Sequence, residues 1–198
     1  MKNKSVIVIF ITLLVLVVIT GVVVFNASKN ESNLTSVTLN SNGKIKKFIN
    51  QVYDQIPKDD MMSVESVNID LNDEYALNSY LGLQDKDKIQ CAVASEPLMT
   101  SSAYSFVVAS LKDGSNAQEV ANEILNGVNP RKWICVEAEQ INVIFKDNVV
   151  VLVMTDKDLA TSITNAVKTK LNVTDANVLE KENVDGDYEL PPEMIVTQ

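Results

Sequence analysis

Histidine is absent from this 198-residue chain, and Arg131 is its only arginine. The first absence excludes Ser-His-Asp and Cys-His nucleophile systems, histidine metal sites and a histidine pH switch. The second leaves no arginine cluster for phosphate or carboxylate ligands. Only two cysteines occur, too far apart for a CxxC redox motif and too few to complete a zinc site. None of the six glycines forms a phosphate-binding pattern between a strand and a helix, which disfavours a dinucleotide fold. No cofactor and no resident metal are therefore expected.

Charge is equally absent from Val6–Phe25 (VIVIFITLLVLVVITGVVVF), twenty apolar or weakly polar residues. As a helix rising about 1.5 Å per residue it spans roughly 30 Å, the thickness of a bilayer hydrocarbon core. Its many β-branched residues would favour a strand in water, but in lipid every backbone group must be satisfied internally, which favours the helix. Lys2 and Lys4 precede the span, so the positive-inside rule keeps residues 1–5 in the cytoplasm and exports the rest. A cleaved signal peptide fits less well, because its apolar core runs about 7–15 residues and ends in small residues at the cut. The exported part carries 15 basic and 26 acidic residues, a net of −11. Such a surface repels phosphate backbones, so no nucleic-acid partner is expected.

Residues 26–43 (NASKNESNLTSVTLNSNG) are polar and lack apolar periodicity, as a flexible tether does. Asn33-Leu34-Thr35 and Asn172-Val173-Thr174 fit the glycosylation pattern, a chance match in so Asn-rich a chain. A domain over 44–181 follows. Helical spacing predicts a helix over Lys44–Ile56, stopped by Pro57, and a short one over Glu74–Leu81 ending at Gly82. Ser63–Leu71 reads as a half-buried strand. Lys88–Glu96 and Ala103–Leu111 alternate as strands on either side of Pro97. Ser115 and Gln118 have capping-box spacing before a helix with Ala117, Val120, Ala121, Ile124 and Leu125 on one face, ended by Gly127. Lys132–Glu137 and Gln140–Lys146 read as strands, Asp147-Asn148 as a turn, and Val149–Met154 as a strand covered on both faces. Asp156 caps a last helix burying Leu159, Ile163, Val167 and Leu171. The expected fold is α+β: an antiparallel sheet with helices packed on one face, preceded by the single transmembrane helix. Residues 182–198 read as an acidic mobile tail, in which Met194-Ile195-Val196 could dock as an edge strand.

The stretch from about Tyr80 to Leu171 resembles the family known as domain of unknown function 4358. The residues that carry the likeness are Tyr80-Leu81-Gly82-Leu83, Ser95-Glu96, Met99 to Tyr104 leading into Phe106-Val107-Val108, the helix around Ala117–Leu125, Arg131, and the hairpin closing on Val149–Val153. The resemblance covers roughly half the chain. It implies an extracytoplasmic α+β domain, anchored to the membrane of a Gram-positive bacterium by a helix or a lipid, and it implies no activity.

Several groupings have site-like chemistry. Ser41-Asn42-Gly43-Lys44 has the Ser-x-x-Lys spacing of penicillin-recognising enzymes, but lies in the expected tether without companion motifs. Asn68, Asp70, Asn72, Asp73 and Glu74 offer oxygens without the glycine of a tight calcium loop, and Asp185-Gly186-Asp187 is sparser still. Cys91 and Cys135 form an even pair outside the cytoplasm, which suits a disulfide closing a loop of about 44 residues; their apolar settings suit two free thiols. Glu96 beside Pro97, near Ser101, Ser102 and Tyr104, is the most site-like polar group, able to orient a ligand or act as a base. The same residues read more simply as the cap of a bulge or of a wide hairpin connection, and that reading is preferred. Trp133, next to Arg131 and Lys132, offers a ring for a sugar or peptide to stack on, or a core side chain. With no catalytic set, the expectation is a non-enzymatic cell-envelope module that binds a protein or peptide. A cell-wall or small-ester hydrolase using Glu96 and a small-ligand sensor domain are the alternatives.

Overall fold

Six segments, the central four apolar-rich, pair into one sheet in the computed structural model, which describes residues 38–98, 102–133 and 135–183. The anchor over 6–25, the tether as far as residue 37 and all but the start of the tail lie outside these residues. No helix among those described is long and apolar enough to cross a membrane. The elements are α1 (Asn42–Tyr53), β1 (Val64–Asn68), α2 (Glu74–Leu81), β2 (Ile89–Pro97), β3 (Ser105–Leu111), α3 (Ala117–Gly127), β4 (Gln140–Lys146), β5 (Val149–Thr155), α4 (Lys157–Leu171) and β6 (Val178–Glu182). The strand order is β1-β2-β3-β5-β4-β6, and every neighbouring pair is antiparallel.

The fold is α+β, as expected, but the helices cover both faces of the sheet rather than one. α2 and α3 bury Leu77, Leu81, Val120, Ala121 and Ile124 against Ala92, Val107, Val143, Val150 and Leu152. α1 and α4 bury Ile45, Phe48, Val52, Ile163 and Val167 against Val93, Phe106, Val108, Val151 and Val153 on the other side. Alternate residues of β3 and β5 enter opposite cores, so every residue of both strands is buried. Handedness explains the two layers. β3 and β4 each pair antiparallel with β5, so they run parallel to one another, with α3 as the crossover between them. β5 and β6 are likewise parallel across β4, with α4 as their crossover. Both crossovers shift in the same direction along the sheet from strands that point opposite ways. Connections of one hand must therefore carry α3 and α4 on opposite faces.

Local chemistry sets the helix ends. Asp73 accepts from the backbone N–H groups of Tyr75 and Ala76 to start α2, and Gly82 ends it in the left-handed region at φ 65°. Asp156 caps α4 through the Leu159 N–H. The cap of α3 is Asn116, not Ser115: its side chain accepts from Gln118 and Glu119 N–H and donates to the Glu119 carboxylate. Gly127 is the last residue of α3, and what it permits is contact. A Cβ built there would lie 2.1 Å from the Gly82 carbonyl oxygen.

Four further expectations are corrected. Leu39 is buried beneath α1, so the domain begins before residue 44 and the tether stops short of it. Lys132–Glu137 is not a strand; the described residues of 128–139, all but 134, form an irregular connection from α3 to β4. The edge strand beside β4 is Val178–Glu182, which no sequence pattern above had marked. β1 is shorter than Ser63–Leu71 and, as the opposite edge, leaves Val67 40% exposed.

Candidate functional site

Glu96 is the expected site residue that the fold pairs with a charged partner. It stands near the end of β2, on the face covered by α2 and α3. Ser105, at the start of β3, points to the same face and donates to Glu96 Oε1 at 2.5 Å. Lys132 reaches in from the 128–139 connection, its Nζ 2.5 Å from the same carboxylate oxygen and 3.1 Å from Ser105 Oγ. A third bond runs 3.3 Å to the carbonyl of Ser79 in the last turn of α2, where the helix dipole adds to the pull on a cation. Two rings flank the ammonium: the Tyr80 centroid lies 5.1 Å from Nζ and the Trp133 centroid 5.2 Å. The lysine side chain is 10% exposed and the glutamate 21%. Burial lowers the Lys132 pKa from its usual range, against the opposing pull of Glu96. Burial, then Glu96, raises that of Tyr80.

The other sequence candidates scatter. Ser101 lies outside the described residues, and Ser102 is half-buried. Tyr104 is fully buried on the opposite face, where its hydroxyl donates to that of Tyr53 at 3.0 Å. Tyr53 in turn donates to Ser95 at 2.8 Å, and burial pushes its pKa up to about 12. Tyr104 and Glu96 therefore belong to separate clusters on the two faces of the sheet, as the alternation of side chains along a strand requires. Ser41 sits at the start of α1 rather than in a tether, but it is exposed, and Lys44 donates outward to Asn40 at 2.9 Å. The acidic group around Asp70 is consumed locally: Asp70 accepts from Asn72 N–H, Asp73 caps α2 and Asn72 accepts from Lys86. Among the described residues no set of three metal-ligating side chains converges. Cys91 and Cys135 are both free thiols, so the bridge weighed above is not made. Cys91 packs toward α1, with its sulfur 4.0 Å from the Leu39 carbonyl, while Cys135 is exposed on the 128–139 connection at φ 63°.

That connection holds the chain's only arginine, its only tryptophan and its exposed thiol. Arg131, Trp133, Cys135, Val136 and Glu137 line an open depression of about 250 Å³. Arg131 is ion-paired to Glu137, and Ala138 N–H bonds back to the Pro130 carbonyl at 2.9 Å, so the segment is closed on itself. Another cleft, of about 350 Å³, runs beside β1 between Tyr53, Ile56, Met61, Met62 and Val64. Ser105, Lys132 and Tyr80 were missed from sequence. The available signal was a charged residue beside the lone tryptophan in an otherwise apolar run, read there as a strand.

No protein-family model, no curated protein and no solved structure matches the chain.

Proposed function

We propose that this chain is a single-pass protein of the cell envelope whose extracytoplasmic domain is a non-enzymatic module that binds a protein or peptide partner. In this reading residues 1–5 are cytoplasmic and 6–25 are the anchor. The uncharged twenty-residue run, the lysines before it and the acidic remainder support that address. So does the resemblance to domain of unknown function 4358.

One observation carries the non-enzymatic half: among the described residues the most site-like carboxylate, Glu96, is engaged through one oxygen by a buried hydroxyl and an ammonium. Glu96 Oε1 accepts hydrogen bonds from the Ser105 hydroxyl and the Lys132 ammonium, and Ser105 has no exposed surface. A serine nucleophile needs an approach path for its substrate, and in this arrangement Ser105 has none. A glycosidase would also need a second carboxylate across the cleavage point, and the partners of Glu96 are an ammonium and a hydroxyl instead. The binding surface assigned in this reading is the depression on the 128–139 connection, an aromatic and charged patch on a fixed scaffold.

The test is site-specific photocrosslinking of the full chain in its native envelope, with the reactive side chain at Val136 and, as a control, at Glu123 on α3. The reading expects a single envelope adduct from position 136 and none from 123. Equal labelling from both positions, or none from either, overturns it. Shaving intact cells with protease should remove the carboxyl-terminal domain; its survival would overturn the address.

A further inference from the structure

The surroundings of Lys132 have the composition of a receptor for a primary amine. Three oxygens of different origin converge on one nitrogen: the Glu96 carboxylate, the Ser105 hydroxyl and the Ser79 carbonyl. They match in number the three N–H donors of an alkylammonium. Two aromatic rings close the remaining sides at 5.1 and 5.2 Å. Four of these five groups belong to parts of the fold other than the segment that supplies the cation. Glu96 and Ser105 stand on adjacent strands, and Ser79 and Tyr80 at the end of α2. The pocket is thus built by the scaffold and filled from outside it.

We infer that this pocket is a binding site for a primary ammonium group, and that Lys132 is its internal stand-in, displaced when a partner presents a lysine side chain or an amino terminus. The inference deepens the binding-module reading and rests on it for the identity of the donor. Exchange conserves charge: one ammonium leaves Glu96 as another arrives, so the carboxylate is never left unpaired in a buried place. The displaced side chain stays close to water. The described residues of the 128–139 connection are held by buried Val128 and Ala138 at its two ends, by the Ala138 N–H bond to the Pro130 carbonyl and by the Arg131–Glu137 ion pair. Withdrawal of Lys132 therefore requires a swing of one side chain and leaves the backbone path intact. A tethered competitor acts at an effective concentration in the millimolar range or above, so a free monoamine binds the wild-type chain weakly. A peptide with further contacts along the adjoining depression overcomes that competition. Selectivity follows from the oxygens: a quaternary ammonium would enjoy the rings but leave all three acceptors unanswered.

Trp133 is the only tryptophan and forms one wall of the site, so its fluorescence reports occupancy directly. The experiment titrates the full chain, kept in detergent, with n-butylammonium, with n-butyltrimethylammonium and with a short lysine-containing peptide alongside its acetyl-lysine form. Lys132→Ala should bind n-butylammonium at least tenfold more tightly than the wild type and should discriminate against the quaternary amine. Lys132→Ala with Glu96→Gln should lose that binding. Lys132→Ser, which also ends short of the three oxygens and leaves the pocket open, serves if the alanine variant does not fold. The wild type should respond to the lysine peptide and not to its acetylated form. Failure of both Lys132 variants to bind the primary amine overturns the site. Binding by the variants with a wild type blind to the peptide overturns displacement and makes Lys132 a permanent strut. Either result is separable from the crosslinking test, which can fail while amine binding in detergent holds.

Discussion

Replacing Gly127 with alanine should unfold a large part of this protein's stability margin, although the residue lies at a helix end with no unusual torsion of its own. Its added Cβ would meet the Gly82 carbonyl oxygen at 2.1 Å and the Gly82 carbonyl carbon at 3.0 Å, against ordinary contact from 3.4 Å. The obstacle is backbone, so no side chain can swing aside; α2 and α3 must part by more than 1 Å, loosening Leu81, Ile124 and Val128 beneath them. Overpacking of this kind costs about 1–3 kcal/mol and occasionally more, and a clash with backbone atoms belongs at the upper end. We expect about 3 kcal/mol, reduced by at most about 1 kcal/mol from the better helix propensity of alanine. The glycines supply their own controls. Gly82→Ala adds the left-handed penalty of about 1–2 kcal/mol to a clash with more backbone atoms, Gly127 C and O and Val128 N, all within 2.6 Å. Gly114→Ala, at φ 83° with open space around it, should cost that penalty alone. Gly43→Ala, in α1 with nothing within 4 Å, should stabilise by about 0.5–1 kcal/mol. Urea unfolding of the full chain followed by circular dichroism gives all four values. Because both substitutions open one gap, the Gly82→Ala, Gly127→Ala double variant should cost less than the sum of the singles. A Gly127→Ala variant within 0.5 kcal/mol of wild type would refute the close crossing of the two helix ends.

Other measurements bear on the polar clusters and the thiols. Lys132→Met should cost about 3–5 kcal/mol by stranding Glu96, and Glu96→Leu with Lys132→Met should recover most of it, read from the same unfolding curves. Tyr53 has a folded pKa raised to about 12, so its contribution is intact below pH 10 and is lost as pH climbs from 10 to 12. Tyr53→Phe should flatten that alkaline limb while costing about 1–3 kcal/mol at neutral pH through the stranded Tyr104 hydroxyl. Iodoacetamide should modify Cys135 quickly in the folded chain and Cys91 only on unfolding, since Cys91 is part-buried with its pKa raised by burial. A mass spectrum showing fewer than two labels after denaturation without reductant would contradict the free thiols.

The helices and central strands were legible where a single local rule settles the outcome. The ends of α2 come from the Asp73 cap and from Gly82, and those of β5 from the apolar run after Asp147-Asn148, so both matched expectation. The second helix layer was not legible. It depends on β5 entering between β3 and β4, a pairing between distant segments that no window of the sequence contains. β6 was hidden because Val178-Leu179-Glu180-Lys181-Glu182 is an edge strand, mostly exposed, whose polar composition runs on into the acidic residues after it. Trp133 misled in the opposite direction: apolar neighbours suggested a strand, whereas the segment is irregular and places Lys132 against Glu96. At the site, Glu96 was identifiable as a carboxylate at a strand end. Its partners come from 9 and 36 residues further along the chain, and local spacing holds no record of them.

The late entry of β5 has a consequence for synthesis. Until Val149–Thr155 has emerged, β3 has no neighbour on one side, and its bare edge is apolar above and below. Truncations ending between Lys112 and Asn148 should therefore leave a sticky, two-sided ribbon and collect in aggregates. Nascent chains pass through the same stage, and a chaperone that captures extended apolar segments should hold them during that interval and release them once the hairpin of β4 and β5 closes the gap.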